Sequence, residues 1–264
     1  MRFGYMPSAS ENLLCEIEFA KENFDFVEVT YVPGADVARI GRRALEAALS
    51  DFPSKGHLHW KCDFSKASPF HIQNALEQLS FFSSVGIKEV TVHPSSNKSL
   101  FSCALIRNNT LAFSRLCDFS DSSQMSLYVE NTFSFPFNKP PALNSLLHHF
   151  PNLKFTFDIG HSLADYSENY SSFLHFGVKK PSHIHLHDAI PSLGFDHLPF
   201  THARGRDKML DIMRYAKKFN PRATVSLEIF YEMKNGKRVP IEEKRRKNIL
   251  LKHLKTLRSN LCSR

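Results

Sequence analysis

The feature that most constrains the fold is a short β-like segment that recurs eight times, each copy followed by a longer stretch. Helical spacing in these longer stretches is clearest at residues 35–49, 70–85 and 208–219. The predicted strands are residues 2–6, 26–30, 56–60, 89–93, 127–130, 154–158, 183–187 and 224–229. Eight strand–helix units in 264 residues predict an α/β fold, a (β/α)8 TIM barrel, which is typically about 250 residues long.

The chain carries no internal boundary that would divide it into smaller domains. No Gly/Ser linker or low-complexity run interrupts the sequence, so we interpret residues 1–264 as a single domain. A doubly wound open sheet is the alternative fold. The sequence does not favour it, since no G-x-G-x-x-G motif follows the first predicted strand and there is no P-loop.

Side chains within the predicted strands alternate between a polar and an apolar set. Neighbouring strand residues point to opposite faces, and the outer face of a barrel packs against helices. If the acidic or histidine residue near each strand end points inward, the outward residues are Val27, Val29, Leu58, Trp60, Val90, Val92, Leu127, Val129, Phe155, Phe157, Ile184, Leu186, Val225 and Leu227. Every outward residue is then apolar, whereas the inward set is too polar for an interior packed only for stability.

The last inward residues of the strands include three carboxylates and three imidazoles. They are His57, His93, Glu130, Asp158, His185 and Glu228. Strand C-termini converge on one mouth of a barrel, so these side chains can meet although they are distant in sequence. In a low-dielectric funnel they would repel one another or stay unsatisfied without a cation. Mixed histidine and carboxylate ligation therefore predicts a divalent metal, with Zn²⁺, Mn²⁺ or Fe²⁺ favoured over Ca²⁺.

Several short motifs occur in a fixed order around these residues. They are FDFVEV, GHLHW, VTVHP, LYVENT, FTFDIGH, HIHLHD, DHLP and SLEIF. Together they resemble the xylose isomerase-like barrels, a family that includes sugar phosphate isomerases and epimerases and the endonuclease IV-like AP endonuclease family 2. The resemblance spans nearly the whole chain.

The resemblance implies two sets of metal ligands. The four-ligand site shared across the family would be formed by Glu130, Asp158, His185 and Glu228. Additional metals of the endonuclease branch would be bound by His57, His93, His161 and His197, so that one to three ions are expected.

The histidines near these ligands leave alternatives open. In HIHLHD, His183, His185 and His187 point the same way but are spaced about 6.6 Å apart, too far for one ion to take all three easily. The family pattern selects His185, which leaves His183 deeper in the core and His187 at the rim as a substrate contact. His161 is expected on the loop beyond its strand, where it binds a second metal or substrate or is simply a satisfied loop histidine. His59 is predicted to contact substrate, although it competes with His57 for the ligand position.

Glu28 is the earliest inward carboxylate of the predicted barrel. Two roles remain open for it at this point. It either supports the metal ligands or pairs with a basic neighbour.

The net charge of +8 predicts an anionic partner, either a phosphorylated metabolite or a nucleic acid. Arg204 and Arg206 follow the seventh predicted strand, where such barrels commonly bind phosphate, so we predict that they contact substrate. The five cysteines show no metal or disulfide spacing, and no apolar stretch is long enough to span a membrane. These features predict a cytoplasmic location and no membrane partner, while a homo-oligomer stays open.

Two activities compete, together with a third possibility of binding without turnover. The first is metal-dependent isomerisation or epimerisation of a small sugar or sugar phosphate, with Glu130 and Glu228 as the acid/base pair acting through an enediolate. The second is zinc-dependent hydrolysis of a phosphodiester at abasic DNA. The adjacency of Asp196 and His197 departs from the endonuclease pattern, which has an intervening residue there, and so favours the first activity.

Overall fold

Eight parallel strands close into a barrel in the computed structural model, which describes residues 1–8, 12–31, 40–59, 61–164, 170–177, 179–200 and 203–261. The barrel strands are β1 (Arg2–Tyr5), β2 (Phe26–Thr30), β3 (Ser54–His57), β4 (Glu89–Val92), β5 (Ser126–Glu130), β6 (Lys154–Asp158), β7 (His183–Leu186) and β10 (Thr224–Leu227). Their order around the barrel is β1, β10, β7, β6, β5, β4, β3 and β2. The predicted (β/α)8 fold is confirmed.

Helices of the described residues lie between successive strands. They are α1 (Leu13–Asn23), α2 (Arg42–Leu49), α3 (Pro69–Ser84), α4 (Ser102–Ser122), α5 (Pro140–His149), α6 (Ile159–Ala164), α7 (Tyr170–Phe176), α8 (Ala203–Phe219) and α9 (Glu243–Leu261). Local sequence fixes several helix starts. The Asn12 side chain accepts hydrogen bonds from the first free N–H groups of α1, and proline opens both α3 and α5, where its missing N–H costs nothing.

Two antiparallel hairpins extend from adjacent strands at the C-terminal end of the barrel. The first follows β7 and consists of β8 (Asp188–Ile190) and β9 (Phe195–Leu198), joined through a 3-10 turn at Pro191–Leu193. The second follows β10 and consists of β11 (Tyr231–Lys234) and β12 (Lys237–Pro240). An ion pair connects the two hairpins, since Arg238 Nη1 lies 2.6 Å from Asp196 Oδ1.

The two faces of the strands separate as the alternating pattern predicts. Outward strand residues such as Val27, Phe157 and Leu227 are fully buried in the apolar core between strands and helices. Inward residues such as Glu28 and His185 are equally buried, but inside the barrel. Trp60 lies outside the described residues. The interior therefore contains buried polar side chains.

Strand β3 begins and ends earlier than the sequence pattern indicates. We predicted residues 56–60, but the paired strand is Ser54–His57, with Thr30 opposite His57. Polar Lys55 is buried there because it pairs with Glu89, and Gly56 lets the strand approach the Phe82 ring closely. His57 nevertheless points inward, since its Nε2 lies 3.3 Å from Glu130 Oε2.

The predicted helix boundaries also change. The pattern at residues 35–49 corresponds to α2 (Arg42–Leu49), and residues 32–39 lie outside the described residues. Helix α8 begins at Ala203 rather than at residue 208. His161 lies on the short helix α6 and not on a loop. Within the described ranges, no helix has the length and apolar composition needed to cross a membrane.

Candidate metal centre at the barrel mouth

The barrel mouth brings together nine of the acidic and histidine residues predicted for the site. They come from the ends of β3, β4, β5, β6, β7 and β10, from α6 and from the hairpin strand β9. The set is His57, His93, Glu130, Asp158, His161, His185, His187, His197 and Glu228. Barrel closure therefore positions the cluster, because its members are spread over the sequence from residue 57 to residue 228.

Glu130, the last residue of β5, is the centre of this cluster. Its Oε2 lies 3.3 Å from His57 Nε2, 2.9 Å from His93 Nε2 and 3.1 Å from His185 Nδ1. Its Oε1 lies 3.2 Å from His161 Nδ1. One fully buried carboxylate thus faces imidazoles from four different elements.

Glu228 follows the last residue of β10 and approaches the same centre from another side. Its Oε1 lies 3.0 Å from His185 Nδ1, and its Oε2 lies 3.5 Å from His197 Nδ1. Strands β5 and β10 are separated by β6 and β7 in the barrel order. The Nδ1 atom of His185 therefore lies between two carboxylates that belong to different sectors of the mouth.

Several of these buried atoms are close to a partner without forming an aligned hydrogen bond. Among the described residues, the atoms without a hydrogen-bond partner include His93 Nε2, Glu130 Oε1, His185 Nδ1, His197 Nδ1 and Glu228 Oε1. Burying unpaired polar atoms is costly, and so many at one place calls for an explanation. Each of them instead lies within 3.5 Å of a carboxylate or imidazole of the same cluster, and carboxylate and imidazole are common metal ligands. The donor set therefore fits a divalent cation.

The ligand atoms form more than one group of suitable size. In each group, one ligand atom from every residue lies within 4.8 Å of the others. The groups at the mouth include His57 with His93 and Glu130, Glu130 with Asp158 and His185, His57 with His185 and Glu228, and His161 with His187 and His197. Glu130 and His185 each belong to two of these groups, so those groups share ligands, whereas His161, His187 and His197 form a group that has no member in common with them.

Asp158 is held in place by its neighbours. Its Oδ1 accepts a hydrogen bond of 2.5 Å from the backbone N–H of His161, and its Oδ2 lies 3.1 Å from His187 Nε2. His187 is fully buried, so it lies below the rim where we predicted a substrate contact. Its Nδ1 accepts from the backbone N–H of His197 at 2.9 Å. Both ring nitrogens of His187 are thus engaged within the protein.

Asn131 is a site residue that the sequence analysis did not identify. Its side chain donates to the backbone carbonyl of Asp158 and accepts from the Asp158 backbone N–H, each at 2.8 Å. Its own carbonyl accepts from His161 Nδ1 at 3.0 Å. Asn131 therefore fixes the ends of β5 and β6 relative to each other. The only sequence signal was its position directly after Glu130.

Burial and mutual contact shift the pKa values of the cluster in opposite directions. Burial alone would raise the pKa of Glu130, but the imidazoles of His185 and His93 hold it well below its ordinary value. Burial would lower the pKa of His185, whereas Glu130 and Glu228 raise it well above its ordinary value. Burial would also lower the pKa of His161, but Asp158 and Glu130 raise it to about 10. Positive charge on the protonated histidines thus offsets the negative charge of the carboxylates, as a bound cation would otherwise do.

The remaining predicted substrate contacts lie elsewhere or are not described. His59 follows β3, and its backbone N–H donates to Gln78 Oε1 at 2.9 Å, while His57 carries the contact with Glu130. Arg206 is exposed on α8 and lies 3.3 Å from the carboxylate of Asp207. The described contacts do not bring Arg206 to the mouth cluster. The Arg204 side chain lies outside the described residues.

The fold and the site thus define a closed (β/α)8 barrel with carboxylates and imidazoles gathered at its C-terminal mouth. A model of the xylose isomerase-like TIM barrel family matches residues 18–257. The chain belongs to this family. A comparison with curated protein sequences gives no significant match.

Solved structures with the same fold include sugar epimerases. A D-psicose 3-epimerase from Clostridium cellulolyticum, crystallised with D-tagatose, superposes with a TM-score of 0.75 at 14% identity over 99% of both chains. A D-tagatose 3-epimerase-like protein gives 0.71 at 19% identity over 100% of both chains. A Thermus thermophilus protein soaked with ZnCl₂ gives 0.70 at 17% identity, covering 96% of this chain and 98% of the other. At these identities the likeness establishes the fold.

Proposed function

We propose that this protein is a divalent-metal-dependent epimerase or isomerase that acts on a small sugar or sugar phosphate. The observation that carries the proposal is the convergence of unpaired His185 Nδ1, Glu130 Oε1 and Glu228 Oε1 at the mouth of a xylose isomerase-like barrel. The sugar epimerases among the structures of the same fold support this choice of substrate class.

The proposed metal is held by Glu130, Asp158, His185 and Glu228. Bound Zn²⁺, Mn²⁺ or Fe²⁺ would supply Lewis acidity at a substrate carbonyl and the adjacent hydroxyl. Further ions would use His57 and His93, or His161 and His197, in the groups that lie beside this set.

The proposed proton transfer uses the two glutamates on either side of His185. One carboxylate oxygen removes the proton from the substrate carbon next to the carbonyl, which gives an enediolate. The other carboxylic acid returns a proton to the opposite face, which inverts the carbon, or to the neighbouring carbon, which isomerises the sugar. Burial would raise the pKa of Glu130, but the imidazoles of His185 and His93 hold it low, so that the carboxylate is ionised and can accept a proton.

Exchange with solvent provides a direct test of this chemistry. We expect the metal-loaded protein, incubated with ketopentoses and ketohexoses and their phosphates in D₂O, to place deuterium on the carbon that epimerises or isomerises. Glu228→Gln removes one acid/base group and should lower the rate of epimerisation or isomerisation by about 10²-fold or more. Proton NMR of the sugars follows both epimerisation and exchange.

Glu89→Gln is the matched control for this experiment. Glu89 is a barrel-strand carboxylate at the opposite end of the barrel, where it contacts Lys55 and Tyr128. Its substitution should leave the rate of epimerisation or isomerisation unchanged. An equal rate for wild type and Glu228→Gln would overturn the acid/base assignment, and no exchange on any sugar would overturn the substrate class.

Hydrolysis of abasic DNA is the second candidate function. The additional histidine groups beside the proposed metal site favour it, because phosphodiester hydrolysis uses two or more ions. However, the carboxylate of Asp196, next to His197, forms an ion pair with Arg238. This carboxylate therefore links the two hairpins. Cleavage of an abasic duplex by protein carrying three zinc ions, without sugar exchange, would establish this alternative.

A further inference from the structure

A second polar layer lies directly beneath the metal-binding cluster. It consists of Glu28 from β2, His183 and His185 from β7, and Thr224 from β10, all of them buried. Glu28 Oε2 lies 2.8 Å from His183 Nε2, and Glu28 Oε1 lies 3.2 Å from His185 Nε2. His183 Nδ1 shares a hydrogen bond of 2.7 Å with the Thr224 hydroxyl. We call these four residues the relay.

Hydrogen bonding in the relay fixes the protonation state of one ring nitrogen of His185, Nε2. An ionised carboxylate can only accept hydrogen bonds, so both Glu28 oxygens accept from ring N–H groups. The Nε2 atom of His185 therefore carries a proton that it donates to Glu28. The other ring nitrogen, Nδ1, faces Glu130 and Glu228 at 3.1 and 3.0 Å.

The relay and the mouth cluster differ in how their polar atoms are satisfied. Both oxygens of Glu28, both nitrogens of His183 and His185 Nε2 take part in hydrogen bonds. His185 Nδ1 has no such partner among the described residues. The two nitrogens of His185 thus have different surroundings: Nε2 shares a hydrogen bond with Glu28, whereas Nδ1 lies between Glu130 and Glu228 without an aligned hydrogen bond.

We propose that Glu28 is a positioning residue that directs Nδ1 of His185 to the metal by holding the proton on Nε2. His183 and Thr224 orient Glu28 from the side away from the metal. This inference rests on the proposed metal-dependent function. A carboxylate that accepts the second N–H of a ligating histidine fixes its ring orientation and strengthens the ligand.

The same residues could instead bind an ion themselves, because ligand atoms of Glu28, His183 and His185 also lie within 4.8 Å of one another. An ion at that place would have to displace two hydrogen bonds that already satisfy the carboxylate. The two arrangements use different nitrogens of His185. Spectroscopy that distinguishes these nitrogens therefore decides between them.

The first test is ¹⁵N–¹H NMR of wild-type protein with ¹⁵N-labelled histidine, after loading with Zn²⁺. We expect His185 Nδ1 to show the shift of a zinc-bound nitrogen, and Nε2 to remain protonated with a slowly exchanging hydrogen-bonded proton. Zinc bound through Nε2, or zinc that leaves both His185 nitrogens unchanged, would overturn the inference. This test needs no variant and no substrate.

The second test measures the Zn²⁺ dissociation constant of Glu28→Gln by competition with a chelator. An amide offers one oxygen to the two N–H groups, so one histidine must turn or move its proton. We expect affinity to fall by about 10- to 100-fold, as is usual when such a partner is lost. Glu89→Gln is the matched control and should bind zinc as wild type does. Circular dichroism confirms that both variants are folded.

The two tests separate this inference from the function on which it rests. Wild-type affinity in folded Glu28→Gln would refute the role of Glu28 even if the protein epimerises sugars. Zinc bound through Nδ1 and weakened by Glu28→Gln would support that role even if no sugar is converted. Failure of the wild-type protein to bind any divalent ion would refute the metal site and the relay together.

Discussion

Gly160 is the residue on which the packing of His187 depends. A Cβ atom at this position would lie 1.9 Å from Cε1 of the His187 ring, far inside contact distance. The buried ring has no free direction in which to move, because its nitrogens contact Asp158 and His197. We therefore expect Gly160→Ala to lower the free energy of unfolding by about 1–3 kcal/mol, measured by urea denaturation.

A double variant shows whether the clash is the cause. Removal of the ring by His187→Ala makes room for the new methyl group, so adding Gly160→Ala to His187→Ala should cost little further stability. If Gly160→Ala lowers the free energy of unfolding equally in wild type and in His187→Ala, this explanation is contradicted.

Alternation along the strands predicted which acidic and histidine side chains point into the barrel. It depends only on local geometry, so it identified His57, Glu130 and His185 without knowledge of contacts. The roles of Asn131 and Gly160 depend on how the ends of β5, β6 and β7 meet. A single sequence does not contain those distances, and the buried position of His187 was missed for the same reason.

Helix α9 contributes a pH-dependent contact to the fold. Its buried His253 stacks on Phe200 with ring centroids 3.7 Å apart, and His253 Nε2 has no hydrogen-bond partner among the described residues. Burial, with a smaller effect of Lys252, lowers the pKa of His253 from 6.5 to about 4. The unfolded chain thus takes up this proton at higher pH than the folded chain. The resulting stability is present above pH 6.5 and is lost as pH falls towards 4.

His253→Phe keeps an aromatic ring on Phe200 but cannot take up a proton. Between pH 6.5 and 4 we expect wild type to lose up to about 3 kcal/mol more unfolding free energy than this variant. Urea denaturation of both proteins across this range measures the difference. Parallel pH profiles would show that His253 does not contribute.

At the level of elements, periodicity predicted the barrel strands and several helices but not the two hairpins. Strands β8 and β9 are only three and four residues long and enclose a proline and a glycine, so they resemble a loop. Contacts from distant parts of the chain hold them, including the hydrogen bond from Phe230 N–H to His197 O. Such short strands have too few residues to show a period.

For the whole molecule, the buried mouth cluster predicts that metal stabilises the fold. An ion that binds the folded chain alone adds about 2.7 kcal/mol at 100 times its dissociation constant. For a domain of this size we expect a melting temperature about 5–10 °C higher than after chelation. Differential scanning calorimetry with and without Zn²⁺ or Mn²⁺ measures the change.

Asp158→Asn supplies the comparison for this experiment. The substitution removes the charge of a proposed ligand. The rise in melting temperature caused by metal should therefore be reduced or lost while the barrel remains folded. A wild-type melting temperature that changes neither with chelator nor with added metal would contradict a metal centre at the mouth.

The register of β3 limits how the chain can change in length. One residue inserted just ahead of His57 would turn its imidazole towards the helices and place an apolar or glycine position inside the funnel. Two inserted residues would restore the orientation of the imidazole, because side chains along a strand alternate with a period of two. A change in the length of this strand therefore keeps His57 in the cluster only in even steps, unless a β-bulge takes up the extra residue.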